Sequence, residues 1–497
     1  MKYSFEKIFI VLFLLIIPDL FSENTQWYRG AFRLNSSVSS GGETIDTIAR
    51  KAVKTDLNFI VITDQFLVRA EYGFPPLRNL FKVIKTRPSI KTYGIERYLN
   101  KIKSAEKNNP SVTIVSGADI APHYFWEGSI FSENLTCRQF SEQMTVFGAS
   151  SPEFYRKLPV IHNEYRFESF ADVLLRLSPL LLTIFGLLLL FYKKSYYSDA
   201  QGHNYYRTNK FKIFAGIIFS ITGLLWSLNN EPFTQKLGEN QYATNAGTKP
   251  YKKVINYVNK NKNAGIVWSA PEATMKMELF GVKILTIPYI DDVQKTDSHN
   301  GFAGIYGDTS TAHYPGKMWD KMLLEYCNGK RKVLPTIIGE SDYHGKGIRE
   351  IGHIQTVIYA KKCTEKNIVS AIKKGKSYAL QTTKNKYIQL ENVLLQQGQA
   401  VAKIGETMQV DASWPIKFTI SGKIVSDEKI NKKYPAKLTI VVDGKIQIDE
   451  YVNISGNFKW QYFMHIAGND LKKHYLRFYI KTTDAGWLLA NPIFYKL

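Results

Sequence analysis

Two apolar runs in the middle of the chain limit the folds open to it more sharply than anything else. Val173 to Tyr192 contains L-L-L-T-I-F-G-L-L-L-L-F-Y, and Ile213 to Leu228 follows after a short polar break. At about 1.5 Å per residue the first run is long enough to cross a bilayer. The second is shorter and carries Trp226 near its end, where an interfacial aromatic would sit. Neither run has the polar face of a helix packed on a soluble core. Between them lie Lys193, Lys194, Arg207, Lys210 and Lys212, with Asp199 the only carboxylate from Lys193 to Lys212. Positive charge in a short loop marks the cytoplasmic side of a membrane. Residues 171–229 are therefore expected to form a transmembrane hairpin with a short cytoplasmic loop. The main domains then face the extracytoplasmic side of the cell membrane, periplasmic or extracellular. Lys2 and Lys7 ahead of the apolar run Ile8–Ile17 make residues 1–22 a signal peptide or N-terminal anchor, which agrees with export.

On either side of the hairpin the pattern is that of a folded α/β protein. In 26–165, Thr44 to Lys54 places Ile45, Ile48, Ala49 and Ala52 on one helical face, Phe59–Thr63 reads as a strand, Tyr98–Lys107 as a helix and Val112–Val115 as a strand. In 240–384 the alternation resumes with Tyr251–Asn259, Gly265–Trp268, Met318–Tyr326, Val333–Ile338, Thr356–Tyr359 and a helix N-capped by Thr364. Such alternation predicts a parallel α/β architecture. From 386 to 497 the segments are strand-like and separated by turn signals such as Asp443-Gly444, which predicts a small all-β sandwich. Its Trp460 and Trp487 read as core residues in preference to sugar-stacking platforms. The formal charge of +22 would suit nucleic acid. No compact Lys/Arg block, zinc-finger spacing or RNA-binding aromatic motif accompanies it, so the charge reads as a solvated lysine-rich surface and no nucleic acid is expected. Cys137, Cys327 and Cys363 are too few for a disulfide framework.

The stretch from Gly30 to Gln65 runs G-A-F-R-L-N-S-S-V-S-S-G-G-E-T-I-D, then a helical pattern, then N-F-I-V-I-T-D-Q. It resembles the opening of the PHP (polymerase and histidinol phosphatase) superfamily, where a strand carries His-x-His and a later strand ends Ile-Thr-Asp-His. Here Arg33 and Asn35 stand at the His-x-His positions and Gln65 at the last His. The likeness extends over Gly30–Gly128 and Ala264–Leu380. The family's G-x-E corresponds to Asp119 in V-S-G-A-D-I, with His123 four residues on. Its His-Pro-Glu corresponds to A-P-E, with Ala270 at the His. Its Asp-x-His is intact in G-E-S-D-Y-H-G, giving Asp342 and His344, and A-I-K-K-G-K-S-Y-A matches a closing structural marker.

The resemblance implies a distorted (β/α)7 barrel, here interrupted by the hairpin and followed by the sandwich. It also implies a metal site of Zn, Mn or Fe at the strand C-terminal ends, where metal-bound hydroxide would attack a phosphate ester. Asp119, His123, Asp342 and His344 would be the surviving metal ligands, and Asp64 a further ligand or general base. Carboxylates facing one barrel mouth repel one another unless a cation lies among them. Arg33 is expected to supply that charge by pairing with Asp64 or Asp342, since a guanidinium neutralises carboxylates but does not ionise a water. Two functions follow. One is a weakly active or non-catalytic descendant of metal-dependent phosphoesterases that binds a phosphorylated or carbohydrate ligand at the membrane, with no metal required. The other is an active phosphoesterase with a reduced mono- or dinuclear site. His299, His313 and His353 are further histidines from which a site could be rebuilt.

Overall fold

The computed structural model describes residues 25–497 apart from 133, 167–168, 192–194, 208, 245, 280, 309, 348, 384–385, 427–432, 455, 466–470 and 472. The expected signal or anchor at 1–22 lies outside the described residues, as do Lys193 and Lys194.

Seven strands form a curled ring that draws on both sides of the apolar insertion. They are β1 (Gln26–Leu34), β2 (Phe59–Ile62), β3 (Thr113–Ile120), β4 (Met144–Phe147), β5 (Gly265–Trp268), β6 (Gly301–Ile305) and β7 (Thr336–Gly339). Neighbours pair in that order, in parallel except at β4, which is antiparallel to both β3 and β5. Closure comes from the chain just after β7. Ser341 N donates to Phe32 O at 2.8 Å, Tyr343 N to Arg33 O at 3.1 Å and Asn35 N to Tyr343 O at 2.8 Å. Phe32, Val61, Val115, Phe147, Val267 and Ile338 share one buried cluster, with Ile368, Val369 and Ile372 of the Glu365–Lys373 helix packed on it. A larger cluster packs the opposite faces of these strands on the surrounding helices, including Ile45, Ile48, Ala49 and Ala52 of Ile45–Lys54. The predicted helix cap is made, Thr364 accepting from Asn367 N, and Thr44 likewise caps Ile45–Lys54 by accepting from Thr47 N.

The first half of β1 pairs instead with β8 (Ile354–Ala360), which continues through β9 (Ser377–Gln381) into the strand Trp487–Ala490 of the C-terminal region. There, strands Lys386–Gln397, Ile416–Ser426 and Asn457–Met464 form one sheet, and Tyr434–Val442, Lys445–Ile454 and His474–Thr482 extend the other. Leu390, Leu395, Phe418 and Ile420 pack between them against Leu438, Ile440, Phe478 and Ile480. Trp460 and Trp487 pack against the two main cores, as expected. A buried ion pair ties the two regions together. Asp320 on the Met318–Cys327 helix accepts from Arg477 Nε and Nη2 at 2.6 and 2.7 Å and from Tyr475 Oη at 2.8 Å.

The apolar insertion folds as helices Phe170–Leu177, Leu180–Phe191 and Lys210–Asn229. Among the described residues, Lys210–Asn229 is long and apolar enough to cross a membrane, and the first two would make another span if their 47° bend belongs to one crossing. Pro179 at the break removes a backbone donor and accounts for the bend. The helices meet along small residues: a Cβ at Gly186 would collide with Ser220 and Gly216, and one at Gly223 with Thr183 and Pro179. The large residues Leu181, Phe191, Phe214 and Ile221 point outward.

Candidate functional site

The ring concentrates polar side chains at the C-terminal ends of its parallel strands, where loops can present chemistry over a packed core. Arg33 falls in the last turn of β1, where the pairing with β2 slips between Ala31 and Leu34, and its φ is +65°. Ala270, two residues after β5, has φ +38°, and Asp342, three after β7, has φ +45°. Left-handed backbone at a non-glycine residue is costly, so three such residues around one mouth record strain held by the surrounding fold.

Arg33 is the hub. Its Nε donates to Asp119 Oδ2 at 3.0 Å, and its Nη1 lies 3.3 Å from Asp342 Oδ1 and 3.5 Å from Glu340 Oε2. Its Nη2 donates to Gln143 Oε1. Burial opposes the charged guanidinium, but Asp119, Asp342 and Glu340 outweigh it and hold its pKa above the ordinary value. Asp342 is also held by Arg349 Nη1 at 3.0 Å, with His344 Nε2 at 3.4 Å. Burial would raise its pKa, yet Arg33, His344 and Arg349 keep it well below the usual carboxylate range. Asp119 receives a second hydrogen bond from Thr145 Oγ1 at 2.7 Å. Glu340 is fully buried and, among the described residues, neither of its oxygens has a hydrogen-bond partner. Burial pushes its pKa up to about 8 despite Arg33, with Asp119 adding to the rise.

Of the two partners expected for Arg33, Asp342 is one and Asp64 is not. Asp64 is buried and accepts from Ser36 N at 2.8 Å, Ser36 Oγ at 2.6 Å and Ser39 Oγ at 2.6 Å. The serine-rich turn after β1 thus folds onto Asp64 and engages both its oxygens; Gly41 permits it, since a Cβ there would meet Asn35 O. Burial raises the Asp64 pKa against those hydrogen bonds. His123 is not among the residues lining the cavity at the mouth. It is buried, stacks on Phe125 with ring centroids 6.3 Å apart, and among the described residues neither ring nitrogen has a hydrogen-bond partner. Burial lowers its pKa to about 4. His299 is occupied by backbone carbonyls, His313 packs on Trp487, and His353 lines a different cavity.

The cavity over Arg33 has a volume of about 270 Å³ and is lined by Asn35, Gln65, Gln143, Tyr289, Tyr306 and Asp308 in addition to the charged groups. His344 lies at its edge, with Nδ1 3.0 Å from Ser40 Oγ. A metal fits this donor set poorly. Asp119 and Asp342 already face a guanidinium that cannot dissociate, Asp64 accepts three hydrogen bonds from Ser36 and Ser39 and does not line the cavity, and His123 is elsewhere. Among the described residues no three His, Cys, Asp or Glu side chains are grouped to hold a metal ion. Glu340, Gln143 and Arg349 were not expected. Glu340 sits inside the quoted G-E-S-D-Y-H motif, directly after a buried strand, and that position was its signal; Gln143 and Arg349 belong to no motif.

No protein-family model matches the sequence. No curated protein matches it either. Among solved structures the fold is similar to that of a two-domain protein from Bacteroides vulgatus containing a predicted PHP-like metal-dependent phosphoesterase. That match is 11% identical, covers 94% of this chain and 95% of that one, and has a TM-score of 0.34. It is also similar to a proposed metal-dependent phosphoesterase from Bifidobacterium adolescentis, at 15% identity over 65% of this chain and 91% of that one, with a TM-score of 0.27.

Proposed function

We propose that this protein is a non-hydrolytic binding protein on a PHP-like (β/α)7 scaffold, in which Arg33 has taken over the charge-neutralising role of a metal. The observation that carries this is the single buried guanidinium within 3.0–3.5 Å of Asp119, Asp342 and Glu340. Hydrolysis at such a site would need a water of lowered pKa, and a guanidinium is not a Lewis acid. The strained backbone at Arg33, Ala270 and Asp342, positions where the family resemblance puts ligands, fits a metal-site geometry kept after its chemistry was lost.

The same geometry bears on the ligand. Arg33 and Arg349 are both engaged by carboxylates, so a phosphate entering the cavity would meet no spare cation. The amides of Asn35, Gln65 and Gln143 and the rings of Tyr289 and Tyr306 suit a hydroxylated neutral ligand, a carbohydrate, better. Membrane attachment belongs to the proposal too. It is supported by the outward Leu and Phe side chains and the glycine seam of the helices at 170–229, the reverse of a soluble pattern. The export of both flanking regions rests on the sequence alone.

The test is a phosphoesterase assay on the full chain in detergent, with p-nitrophenyl phosphate and with or without Mn²⁺ or Zn²⁺. The expected result is no metal-dependent turnover. Turnover that needs metal and disappears in Asp342→Ala would overturn the proposal and favour a reduced-site hydrolase.

A further inference from the structure

The opposite end of the ring carries a second cavity, of about 590 Å³, that owes nothing to Arg33. It opens where Asn300 leads into β6 and Leu334 into β7, and its outer wall is the C-terminal β region. Among the described residues four lysines line it, Lys332, Lys373, Lys374 and Lys473, and no Asp or Glu does. Glu406, beside the lining residue Gly405, is spent on Lys376 at 2.7 Å.

Two of the four are half-buried. Lys473 Nζ is 4.0 Å from the Phe494 ring centroid and 4.5 Å from that of Tyr326, two rings 5.5 Å apart. Lys373 Nζ donates to Ala264 O at 2.8 Å. These contacts hold the two ammonium groups in place without neutralising them. Burial depresses the pKa of both Lys373 and Lys473, and among the described residues no carboxylate offsets it at either. Lys332 and Lys374 at the rim are exposed and, among the described residues, have no ion pair. An overall basic surface explains scattered lysines, but it does not explain two held at a depth that disfavours their charge.

We propose that this groove binds a phosphate-class oxyanion, gripped between the barrel and the C-terminal β region by the four lysines. A multiply charged tetrahedral anion supplies the missing negative charge, and each ammonium can donate to it. Because Lys332, Lys373 and Lys374 come from the barrel side and Lys473 from the β region, binding would also clamp the two together.

The experiment uses the full chain in phosphatidylcholine nanodiscs, titrated calorimetrically with inorganic pyrophosphate. Saturable binding is expected, weakened about tenfold for each lysine removed. Lys332→Ser combined with Lys374→Ser removes two exposed charges without disturbing packing, and Lys473→Met keeps the aromatic cage filled. Lys101→Ser, at an exposed lysine outside the groove lining, should leave the affinity unchanged. Displacement by short-chain phosphatidic acid supports the proposal with a lipid headgroup as the source, and lack of displacement supports it with a soluble phosphate. The proposal is overturned by absent saturable binding, by unchanged affinity in the double lysine variant, or by equal weakening in Lys101→Ser.

Discussion

Arg33→Ala would leave Asp119, Glu340 and Asp342 facing one another without their shared cation. The Arg33 contacts with Asp119 and Asp342, at 3.0 and 3.3 Å, are each about 5 kcal/mol of gross attraction at an effective dielectric of about 20, most of it cancelled by desolvation. Breaking a buried pair from one side costs about 3–5 kcal/mol because the remaining charge is stranded. Asp342 would retain Arg349 and Asp119 would retain Thr145, which places the loss toward the lower end of that range. The assay is urea denaturation of the full chain followed by tryptophan fluorescence, comparing midpoints because a chain of this size need not unfold in two states. The pH dependence has a definite sign. In the wild type the depressed Asp342 pKa contributes stability above the ordinary carboxylate value, and acid removes it. In the variant the crowded carboxylates would have raised pKa values, so acid restores stability as they take up protons. The gap between the two proteins should therefore narrow from pH 7 toward pH 4. An Arg33→Ala midpoint within error of wild type at pH 7, or a gap that ignores pH, would refute the reasoning.

Glu340→Gln tests the same cluster from the acid side. With the Glu340 pKa raised to about 8, the folded state holds a proton that the unfolded state has lost, so wild-type stability falls as pH rises from about 4.5 to 8. The glutamine variant should gain on the order of 1–3 kcal/mol over wild type at pH 8 and match it near pH 5, as measured by denaturation at both pH values. His123→Phe should be neutral or stabilising by about 1 kcal/mol at pH 7, since it removes a buried imidazole with no hydrogen-bond partner. Burial lowers the His123 pKa to about 4, so its native contribution is lost as pH falls from about 6.5 toward 4, and the variant's acid limb should be flatter by up to one proton. Asp320→Ala should cost about 3–5 kcal/mol by stranding Arg477. Hydrogen exchange should then quicken in both Met318–Cys327 and His474–Thr482, whereas protection lost in one alone would argue against a lock between the two regions.

Much of this fold was legible because its signals are local. Apolar spacing defines the helix Ile45–Lys54, and bounded apolar runs define β2 and β5. The pairing of Arg33 with Asp64 or Asp342 was expected from the family resemblance, which puts them at one barrel mouth, and from charge, since clustered carboxylates require a cation; Asp342 is the partner found. The expected Asp64 contact failed because serine hydroxyls close by in sequence reached that carboxylate first, a competition that depends on the turn's three-dimensional path. Glu340 was overlooked since nothing in G-E-S-D shows that its side chain is sealed from water. The antiparallel β4, and with it Gln143 and Thr145, breaks the βα rhythm and carries no chemical motif. His123 shows the limit of spacing: four residues from Asp119, it was carried into a different packing environment.

Whether a guanidinium has displaced metal chemistry is read most directly by calorimetric titration of Zn²⁺ and Mn²⁺ into the full chain at neutral pH. With Asp119, Glu340 and Asp342 held by Arg33, no stoichiometric uptake at this site is predicted, in wild type or in Asp342→Asn. Uptake of one or more equivalents by the wild type, abolished in Asp342→Asn, would contradict the account and return the mouth of the barrel to metal-dependent hydrolysis.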